Sequence, residues 1–298
     1  MNKPLMLAGL MGLFAQCSSP ESTPTPQATS LPTAQARVAA QRYVSLVTSS
    51  VQKTLNVAYG KSLNDQGQYQ TQHLDIYQPA NDAFQARPVI VLIHGGGFTS
   101  GDKSQMANYA NLYAQYGYVA VSINYRLSTK KMRESLTDPI FVATVDNAKE
   151  DAFGAIRWLR ANAANLRIDK GRIAVMGYSA GGVTAMSVNF DQKNQRKTNS
   201  AAPTQSTAIS TIVEMAGLTD PTLIGPGAKP LRMIHGVNDP GIKYEYAQQL
   251  YKVCQANRVP VVFQSTAGGH DLSPYFKEIT SGTLSWFKTY LVDANPTY

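Results

Sequence analysis

Short apolar runs alternate with amphipathic stretches along most of the chain. The run VIVLI at 89–93 is apolar and mostly β-branched, which is typical of a strand buried on both faces. Further buried strands are predicted in YVAVSINYR, GRIAVM, STIVEMAG, LRMIHGV and PVVFQST. Helices are predicted between them in SQMANYANLYAQYG, NAKEDAFGAIRWLRANAANL, AGGVTAMSV, YEYAQQLYKVCQANR and LSWFKTYLV. This alternation predicts an α/β fold with a mostly parallel sheet covered by helices on both faces.

The part before the first buried strand has a different pattern. TLNVAYG and QYQTQHLDIYQP alternate polar and apolar residues on either side of the turn-rich KSLNDQGQ, which predicts an antiparallel hairpin. Ahead of the hairpin, residues 37–52 predict a first helix. Ligands bind at the carboxyl ends of the strands in open α/β sheets, and the glycine-rich turns of this chain lie at such ends.

Composition narrows the class of protein. Of the 298 residues 43% are hydrophobic and only 15% are charged, so the chain can bury a large core and is not disordered. The net charge of +8 is spread along the chain, and the densest basic stretches, 130–133 and 193–197, lack interleaved aromatic residues. No nucleic-acid partner is therefore expected. The two cysteines, Cys17 and Cys254, provide no disulfide framework.

The amino terminus has the pattern of a targeting segment. Residues 1–16 combine a short positive region with an apolar stretch too short to span a bilayer, and Cys17 follows. Residues 17–36 are rich in Ser, Thr and Pro and indicate a linker before a domain at 37–298. The arrangement resembles a bacterial lipoprotein signal, although Phe14 and Gln16 depart from it. We expect lipid anchoring through Cys17 in the bacterial cell envelope, at the outer membrane or periplasmic face, with secretion as the alternative.

The serine in GYSAG (177–181) is the candidate nucleophile. The pattern G-x-S-x-G is only modestly specific, but here a predicted strand precedes it and a helical stretch follows. Glycines at both ends permit the tight strand–turn–helix that lifts Ser179 clear of the sheet. The alternative, an incidental serine in a glycine-rich turn, does not account for this context.

A serine hydroxyl needs a base to take its proton, and the chain has four histidines. His270 follows the last predicted strand in STAGGHDLS, on a flexible pair of glycines. His94 and His235 each precede a glycine at a strand end and are interpreted as turn-structuring, and His73 as an ordinary strand residue. His270 is the predicted base.

The base in turn needs a carboxylate that holds its tautomer. Asp239 in HGVNDPGI lies just beyond a predicted strand. Asp220 in GLTDP is the competitor, but its place before Pro221 is more typical of a turn cap. Asp271 is adjacent to His270 and would point elsewhere than the imidazole. We therefore predict Asp239 as the third member, and the order Ser179, Asp239, His270 is that of α/β-hydrolases.

The glycine-rich loop HGGG (94–97) follows the third predicted strand. The loop does not have the sequence of a phosphate-binding loop, because it matches neither G-x-x-x-x-G-K-[ST] nor G-x-G-x-x-G. A serine attacking an ester generates an oxyanion that needs backbone donors already in place. We predict that the N–H groups of Gly96, Gly97 and Ala180 supply them.

Six segments together resemble one family. They are, in order, LDIYQP, VIVLIHGGGFTSGDK, SINYRL, DAFGAIRWLRANA, RIAVMGYSAGG and HGVNDP…GGH. From about residue 70 to the end, the chain resembles the α/β-hydrolase carboxylesterases, most closely the hormone-sensitive-lipase-like and the acetyl-xylan and feruloyl esterase-like groups with an HGGG loop. The resemblance implies the α/β-hydrolase fold, the triad Ser179, Asp239 and His270, and the oxyanion hole Gly96, Gly97 and Ala180. Asp102 and Asp151 match positions that are acidic in relatives, where a capping or pairing role is implied.

The predicted cap is small. Few residues separate EMAG from the next strand, where relatives carry a large lid. The cap must therefore come from the amino-terminal helix, the polar surface loop 189–207 and residues 127–146. An open site of this kind favours soluble short-chain or bulky polar esters. Candidate pocket walls are Phe98, Tyr178, Phe190 and Tyr275.

These features predict a serine carboxylesterase that acts without metal or cofactor on a small-molecule or polysaccharide-linked ester. No metal-ligand spacing such as H-E-x-x-H occurs in the chain. Contact with a membrane is expected only through the lipid anchor. Two alternatives stay open: an amidase or peptidase with the same machinery, and a non-catalytic binding protein on a hydrolase scaffold.

Overall fold

The computed structural model describes residues 41–294, except Glu134, Asn194 and Lys197. The predicted signal peptide, Cys17 and residues 37–40 of the predicted first helix lie outside the described residues. Within the described part, no helix is both long enough and apolar enough to cross a membrane.

One mixed sheet organises the described residues. Its strands are β1 (Val51–Leu63), β2 (Tyr69–Pro79), β3 (Arg87–Ile93), β4 (Val119–Ile123), β5 (Ile168–Tyr178), β6 (Thr211–Met215), β7 (Leu231–Gly236) and β8 (Val261–Thr266). They lie in the order β1-β2-β4-β3-β5-β6-β7-β8. Strands β1 and β2 form the predicted hairpin, and β2 also runs antiparallel to β4. From β4 to β8 all neighbours are parallel.

The strand order places a crevice beside β3. Strand β4 pairs with one edge of β3 and strand β5 with the other. The chain therefore reverses its direction of winding at β3 and β5, and the loops after these two strands leave the sheet toward opposite faces. Such a switch point at the carboxyl ends of the strands is where α/β proteins bind their ligands.

Helices cover both faces of the sheet. They are α1 (Ala107–Gln115), α2 (Pro139–Ala161), α3 (Ala163–Leu166), α4 (Ala180–Phe190), α5 (Tyr244–Ala256) and α6 (Phe276–Phe287). Between residues 41 and 294, 3₁₀ turns occur at Lys103–Met106, Pro221–Leu223 and Ser273–Tyr275, and a π-helical segment at Lys288–Asp293 extends α6.

Strand β3 contributes side chains to two apolar clusters, one on each face of the sheet. All seven of its residues are buried, and successive side chains point to opposite faces of the sheet. Val89, Val91 and Ile93 belong to the apolar cluster that includes Phe153 of α2. Ile90 and Leu92 belong to a second cluster with Phe287 of α6 on the other face. Burying one such side chain completely stabilises the folded state by about 1.5–3 kcal/mol.

Helix α2 begins earlier than the apolar pattern predicts. The side chain of Asp138 accepts hydrogen bonds from the N–H groups of Ile140 and Phe141, at 2.9 and 3.2 Å, and Pro139 occupies the first helical position. Proline is well tolerated there because the first N–H has no partner within the helix. The predicted helix starting at residue 147 is therefore the later part of a longer one.

The prediction of a helix at 37–52 is wrong for residues 42–52, which form turns followed by the start of β1. The N–H of Tyr43 donates to the carbonyl of Tyr116 at 3.1 Å, and the N–H of Val47 donates to that of Gln115 at 2.9 Å. These backbone groups are thus satisfied by the end of α1 and not by a helix of their own. The Thr48 hydroxyl also accepts from the N–H of Ser50, a local bond that competes with helix formation.

The polar segment 189–207 does not cap the sheet as predicted. Its first two residues end α4, and further along Asn199 is fully buried and donates to Asp151 of α2 at 2.9 Å. Arg157 donates to the carbonyl of Ala201 at 2.9 Å, and Arg160 to that of Ser206 at 2.7 Å. The segment therefore runs along α2 toward the amino end of β6, away from the carboxyl ends of the strands.

Candidate active site

Ser179 stands on a strained turn between β5 and α4. Its backbone has φ 55° and ψ −119°, a conformation that costs a non-glycine residue about 1–3 kcal/mol. Its N–H donates to the carbonyl of Met215 at 2.8 Å, which holds the turn to the end of β6. A Cβ at Gly177 would collide with the carbonyl of Gly181, and one at Gly181 with the carbonyl of Ile93. The two glycines thus make the turn possible, and the turn presents the Ser179 hydroxyl above the sheet.

His270 follows β8 and reaches across to Ser179. Its Nε2 lies 2.9 Å from Ser179 Oγ, although the two residues are 91 positions apart. The Tyr178 hydroxyl donates to the His270 carbonyl at 2.9 Å, so the residue beside the serine also anchors the backbone of the histidine. The N–H of Asn238 donates to the carbonyl of Gly268 at 3.0 Å and holds the same loop to the turn after β7.

Asp239 completes the chain of hydrogen bonds. Its Oδ2 lies 2.7 Å from His270 Nδ1, and its Oδ1 accepts from the N–H groups of Gly241 and Ile242 at 2.8 and 3.0 Å. Burial by itself would raise the pKa of Asp239, but the hydrogen bonds from His270 and the two N–H groups outweigh it and hold the pKa below its usual value. An ionised carboxylate can only accept, so Nδ1 donates and Nε2 is left free to take the serine proton.

His94 and His235 contact backbone carbonyls in turns near the site. His94 Nδ1 lies 2.7 Å from the carbonyl of Gly95, and the ring stacks on Tyr125. His235 Nε2 lies 2.8 Å from the carbonyl of Ile242 and 3.4 Å from Asp239 Oδ2. Burial lowers the pKa of both imidazoles. His235 therefore sits behind the carboxylate, a contact that the motif HGVND could have indicated but that sequence reasoning missed.

The competing carboxylates cap local turns. Asp220 accepts from the N–H of Thr222 at 2.8 Å, and Asp271 from that of Ser273 at 2.9 Å. Asp102 caps the 3₁₀ turn after the glycine-rich loop, and Asp151 pairs with Arg126 in the interior. None of these four carboxylates takes the place that Asp239 occupies beside His270.

The glycine-rich loop after β3 lies against the serine. Gly97 and Ala180 line a cavity at Ser179. As the first residue of α4, Ala180 has an N–H that the helix itself cannot use, and the amino end of a helix favours negative charge. Gly96 has a φ of 109°, and its carbonyl accepts from the N–H groups of Thr99 and Ser100, each at 3.1 Å. The structure thus brings Gly97 and Ala180 to the serine, and Gly96 shapes the loop without lining that cavity.

Comparison with known proteins identifies the family. The model of the BD-FAE family matches residues 74–228, just over half of the chain. The chain belongs to the BD-FAE family. The matched region includes Ser179 and the glycine-rich loop and ends before Asp239 and His270, so the geometry above is what connects those two residues to the matched region.

Curated relatives of this BD-FAE chain match a shorter region. Chlorogenic acid esterase of Aspergillus niger is 32% identical over 130 residues, which cover 40% of this chain and 24% of that protein. Esterase LipI of Mycobacterium tuberculosis is 35% identical over 112 residues, covering 37% and 31%. The chain thus spans about a quarter to a third of the length of these two relatives.

Solved structures show the fold of this BD-FAE chain. Thermogutta terrifontis esterase 2 phosphorylated by paraoxon has a TM-score of 0.65 at 20% identity, covering 80% of this chain and 96% of the other. The butyrate-bound form of that esterase has a TM-score of 0.64, again at 20% identity and with the same shares covered. The predicted α/β-hydrolase fold is confirmed.

The cavity at Ser179 is small. Its volume is about 10 Å³, close to the smallest space that holds one water molecule. Its apolar walls come from three regions of this BD-FAE chain: the glycine-rich loop with the start of α2, helix α4, and the loops after β6 and β7. They are Phe98, Phe141, Val183, Leu218 and Ile242. Phe98 is the only one of the four aromatic residues named from the sequence that is among these described walls.

Side chains that commonly bind metal ions are spread over the described part of the chain. No group of three or more His, Cys, Asp or Glu side chains is placed there to hold a metal ion. The polar groups that the structure places around Ser179 are the His270 imidazole, the Asp239 carboxylate behind it and the backbone of Gly97 and Ala180.

Proposed function

We propose that this protein is a serine carboxylesterase that hydrolyses carboxylic esters through an acyl-enzyme intermediate. The observation that carries the proposal is the position of His270, with Nε2 2.9 Å from Ser179 Oγ and Nδ1 2.7 Å from Asp239 Oδ2. These are hydrogen-bond distances at which proton transfer takes place.

The first half of the reaction forms the acyl-enzyme. His270 Nε2 takes the proton of Ser179 as Oγ attacks the ester carbonyl, and Asp239 stabilises the imidazolium. The N–H groups of Gly97 and Ala180, with the loop shaped by Gly96, stabilise the oxyanion. One such donor lowers the activation free energy by about 2.7–4 kcal/mol. The carbon–oxygen bond to the alcohol then breaks, and His270 gives its proton to the departing oxygen.

The second half restores the enzyme. His270 takes a proton from water as the hydroxide attacks the acyl carbonyl, a second oxyanion forms in the same place, and the bond to Ser179 Oγ breaks. The proton returns to the serine and the carboxylic acid leaves. Every proton is thus accounted for by His270 and water, without any other reactant.

The size of the site supports a short acyl group. A cavity of about 10 Å³ accommodates a methyl group and little more. One relative is a chlorogenic acid esterase and one structural neighbour has been solved with butyrate, which supports ester hydrolysis as the chemistry. We infer a preference for acetyl and other short acyl esters, including those carried on small or polymeric alcohols.

Hydrolysis of p-nitrophenyl acetate by the full chain tests the proposal. We expect Ser179→Ala to lower kcat about 10⁴-fold or more, because the variant retains binding and oxyanion donors but loses the nucleophile. Ser187→Ala makes the same chemical change two turns along α4 and serves as the matched control. Equal activity in wild type and Ser179→Ala would contradict the proposal.

Covalent labelling gives an independent test of the mechanism. Esterase 2 of Thermogutta terrifontis is phosphorylated by paraoxon. We expect paraoxon to add one phosphoryl group to this chain at Ser179, detected by mass spectrometry of the intact protein and of its peptides. Labelling of Ser187→Ala but not of Ser179→Ala is the expected result. Cleavage of anilides in the absence of any ester hydrolysis would instead support an amidase.

A further inference from the structure

One residue lines both the cavity at Ser179 and a much larger groove. The groove has a volume of about 360 Å³ and is formed by residues 135–137, the loop after β6 and helix α5. Leu218 lines both the groove and the cavity of about 10 Å³ at Ser179. Leu218 is the residue that the two sets of lining residues share, so the two spaces meet there.

The backbone holds Leu218 in place. The N–H of Gly217 donates to Glu214 Oε2 at 2.9 Å, and Gly217 packs so closely on α4 that a Cβ there would lie 2.8 Å from the Gly182 carbonyl carbon. Asp220 caps the turn two residues later. The backbone on either side of Leu218 is therefore held in place.

The small cavity lies on the acyl side of the reaction. The departing alcohol receives its proton from His270, so it leaves on the side of the imidazole. His270 is not among the residues that line the cavity, whereas Gly97 of the oxyanion loop is. A group that enters this cavity is therefore attached to the carbonyl carbon and belongs to the acyl part of the ester.

We propose that Leu218 sets the acyl length that this enzyme accepts, by closing the acyl cavity at Ser179 off from the groove of about 360 Å³ beyond it. The inference rests on the proposed esterase activity and specifies its substrates. In the wild type an acetyl or propionyl group fits, and a longer chain meets Leu218. With Leu218 shortened, the chain passes into the groove along apolar Leu136 and Leu250.

The experiment compares p-nitrophenyl acetate, butyrate, hexanoate and octanoate as substrates of the full chain. For Leu218→Ala we expect the ratio of kcat/KM on octanoate to that on acetate to rise at least ten-fold above the wild-type ratio, since one methylene that finds room changes kcat/KM about ten-fold or more. Leu218→Val removes less of the side chain and is expected to raise the butyrate and hexanoate ratios by a smaller factor.

Leu136→Ala is the matched control, because Leu136 lines the groove but not the cavity at Ser179. It is expected to leave the wild-type ratio unchanged. Activity on acetate shows that each variant is folded and that the esterase proposal holds. An unchanged octanoate-to-acetate ratio in an active Leu218→Ala enzyme overturns the inference alone, as does a wild type that hydrolyses octanoate as fast as acetate.

Discussion

Asp239 accepts hydrogen bonds with both of its oxygens. Oδ1 accepts hydrogen bonds from the N–H groups of Gly241 and Ile242, and Oδ2 accepts one from His270 Nδ1. The two oxygens therefore have different tasks: one fixes the turn after β7, and the other orients the imidazole. This division determines what an amide in the same position would do.

We predict that Asp239→Asn lowers kcat about 10⁴-fold with little change in fold. The amide oxygen is expected to replace Oδ1, where two N–H groups require an acceptor, which turns the NH₂ group toward His270. A donor facing Nδ1 selects the tautomer with hydrogen on Nε2, and that nitrogen can no longer take the proton of Ser179. Steady-state kinetics on p-nitrophenyl acetate measure the loss.

Asp271→Asn is the matched control, because Asp271 neighbours His270 but caps Ser273. It is expected to retain activity within a few-fold of the wild type. Greater loss in Asp271→Asn than in Asp239→Asn would show that the wrong carboxylate has been assigned.

At the scale of single residues, part of the candidate site could be predicted from the sequence. Ser179, Asp239 and His270 could be singled out because each follows a buried strand in a short pattern. The contact of His235 with Asp239 lies within the motif HGVND and could have been found there, whereas Leu218 could not, because its position depends on how loops distant in sequence pack together. Nothing local in GLTDP marks its leucine as a wall of the cavity.

Among the elements, the turn between β5 and α4 carries the tightest constraint. Strand β3 passes so close to it that Gly181 has no room for a side chain beside the carbonyl of Ile93. The turn is thus shaped by packing against a neighbouring strand as well as by its own glycines.

We predict that Gly181→Ala displaces α4 from β3 and lowers both stability and activity, with a lower urea midpoint and at least a 100-fold loss of kcat. A 1 Å misplacement of reacting groups has a cost of that order. Gly225→Ala is the control, since no atom lies within 4 Å of the Cβ it would gain. It is expected to keep the wild-type midpoint and activity, and an active, stable Gly181→Ala would contradict the account of the turn.

The elements also show the limits of the apolar pattern. Strands buried on both faces were predictable because their side chains need no polar partners. The start of α2 was not, because it depends on the cap at Asp138, and the segment 42–50 was mistaken for a helix because its hydrogen bonds go to the end of α1. Apolar periodicity does not contain either kind of information.

For the molecule as a whole, Glu214 links stability to pH. It is fully buried in β6, one oxygen accepts the N–H of Gly217, and burial raises its pKa to about 8. Below about pH 4.5 the carboxyl is protonated in both the folded and the unfolded chain. Between there and about pH 8 only the unfolded chain ionises, so this residue makes the folded state progressively less stable as the pH rises.

We predict that Glu214→Gln removes this part of the pH dependence, because an amide retains the hydrogen-bond acceptor and cannot ionise. Urea midpoints measured from pH 5 to pH 8.5 are expected to fall more steeply for the wild type than for the variant. Glu245→Gln, on the exposed first turn of α5, is the control and is expected to follow the wild type. Parallel curves for Glu214→Gln and wild type would disprove the assignment.

At this scale the fold class could be predicted, and the arrangement of strands could not. Alternating strands and helices indicate a parallel sheet, but the order β1-β2-β4-β3-β5-β6-β7-β8 rests on pairings between distant segments. The packing of the segment after α4 along α2 likewise depends on long side chains such as Arg157. No local sequence pattern reveals that Arg157 donates a buried hydrogen bond to that segment.

The separation of 91 positions between Ser179 and His270 has a consequence for biosynthesis. A ribosome completes β5, α4 and the serine turn well before it adds the loop after β8. On the proposed mechanism, the serine has no base until that loop has emerged and docked on Tyr178, so we expect the nascent chain to be inert toward esters before then. Hydrolytic activity is then expected only when translation has passed the last strand, and its appearance in a cell-free synthesis reaction would report the completion of folding.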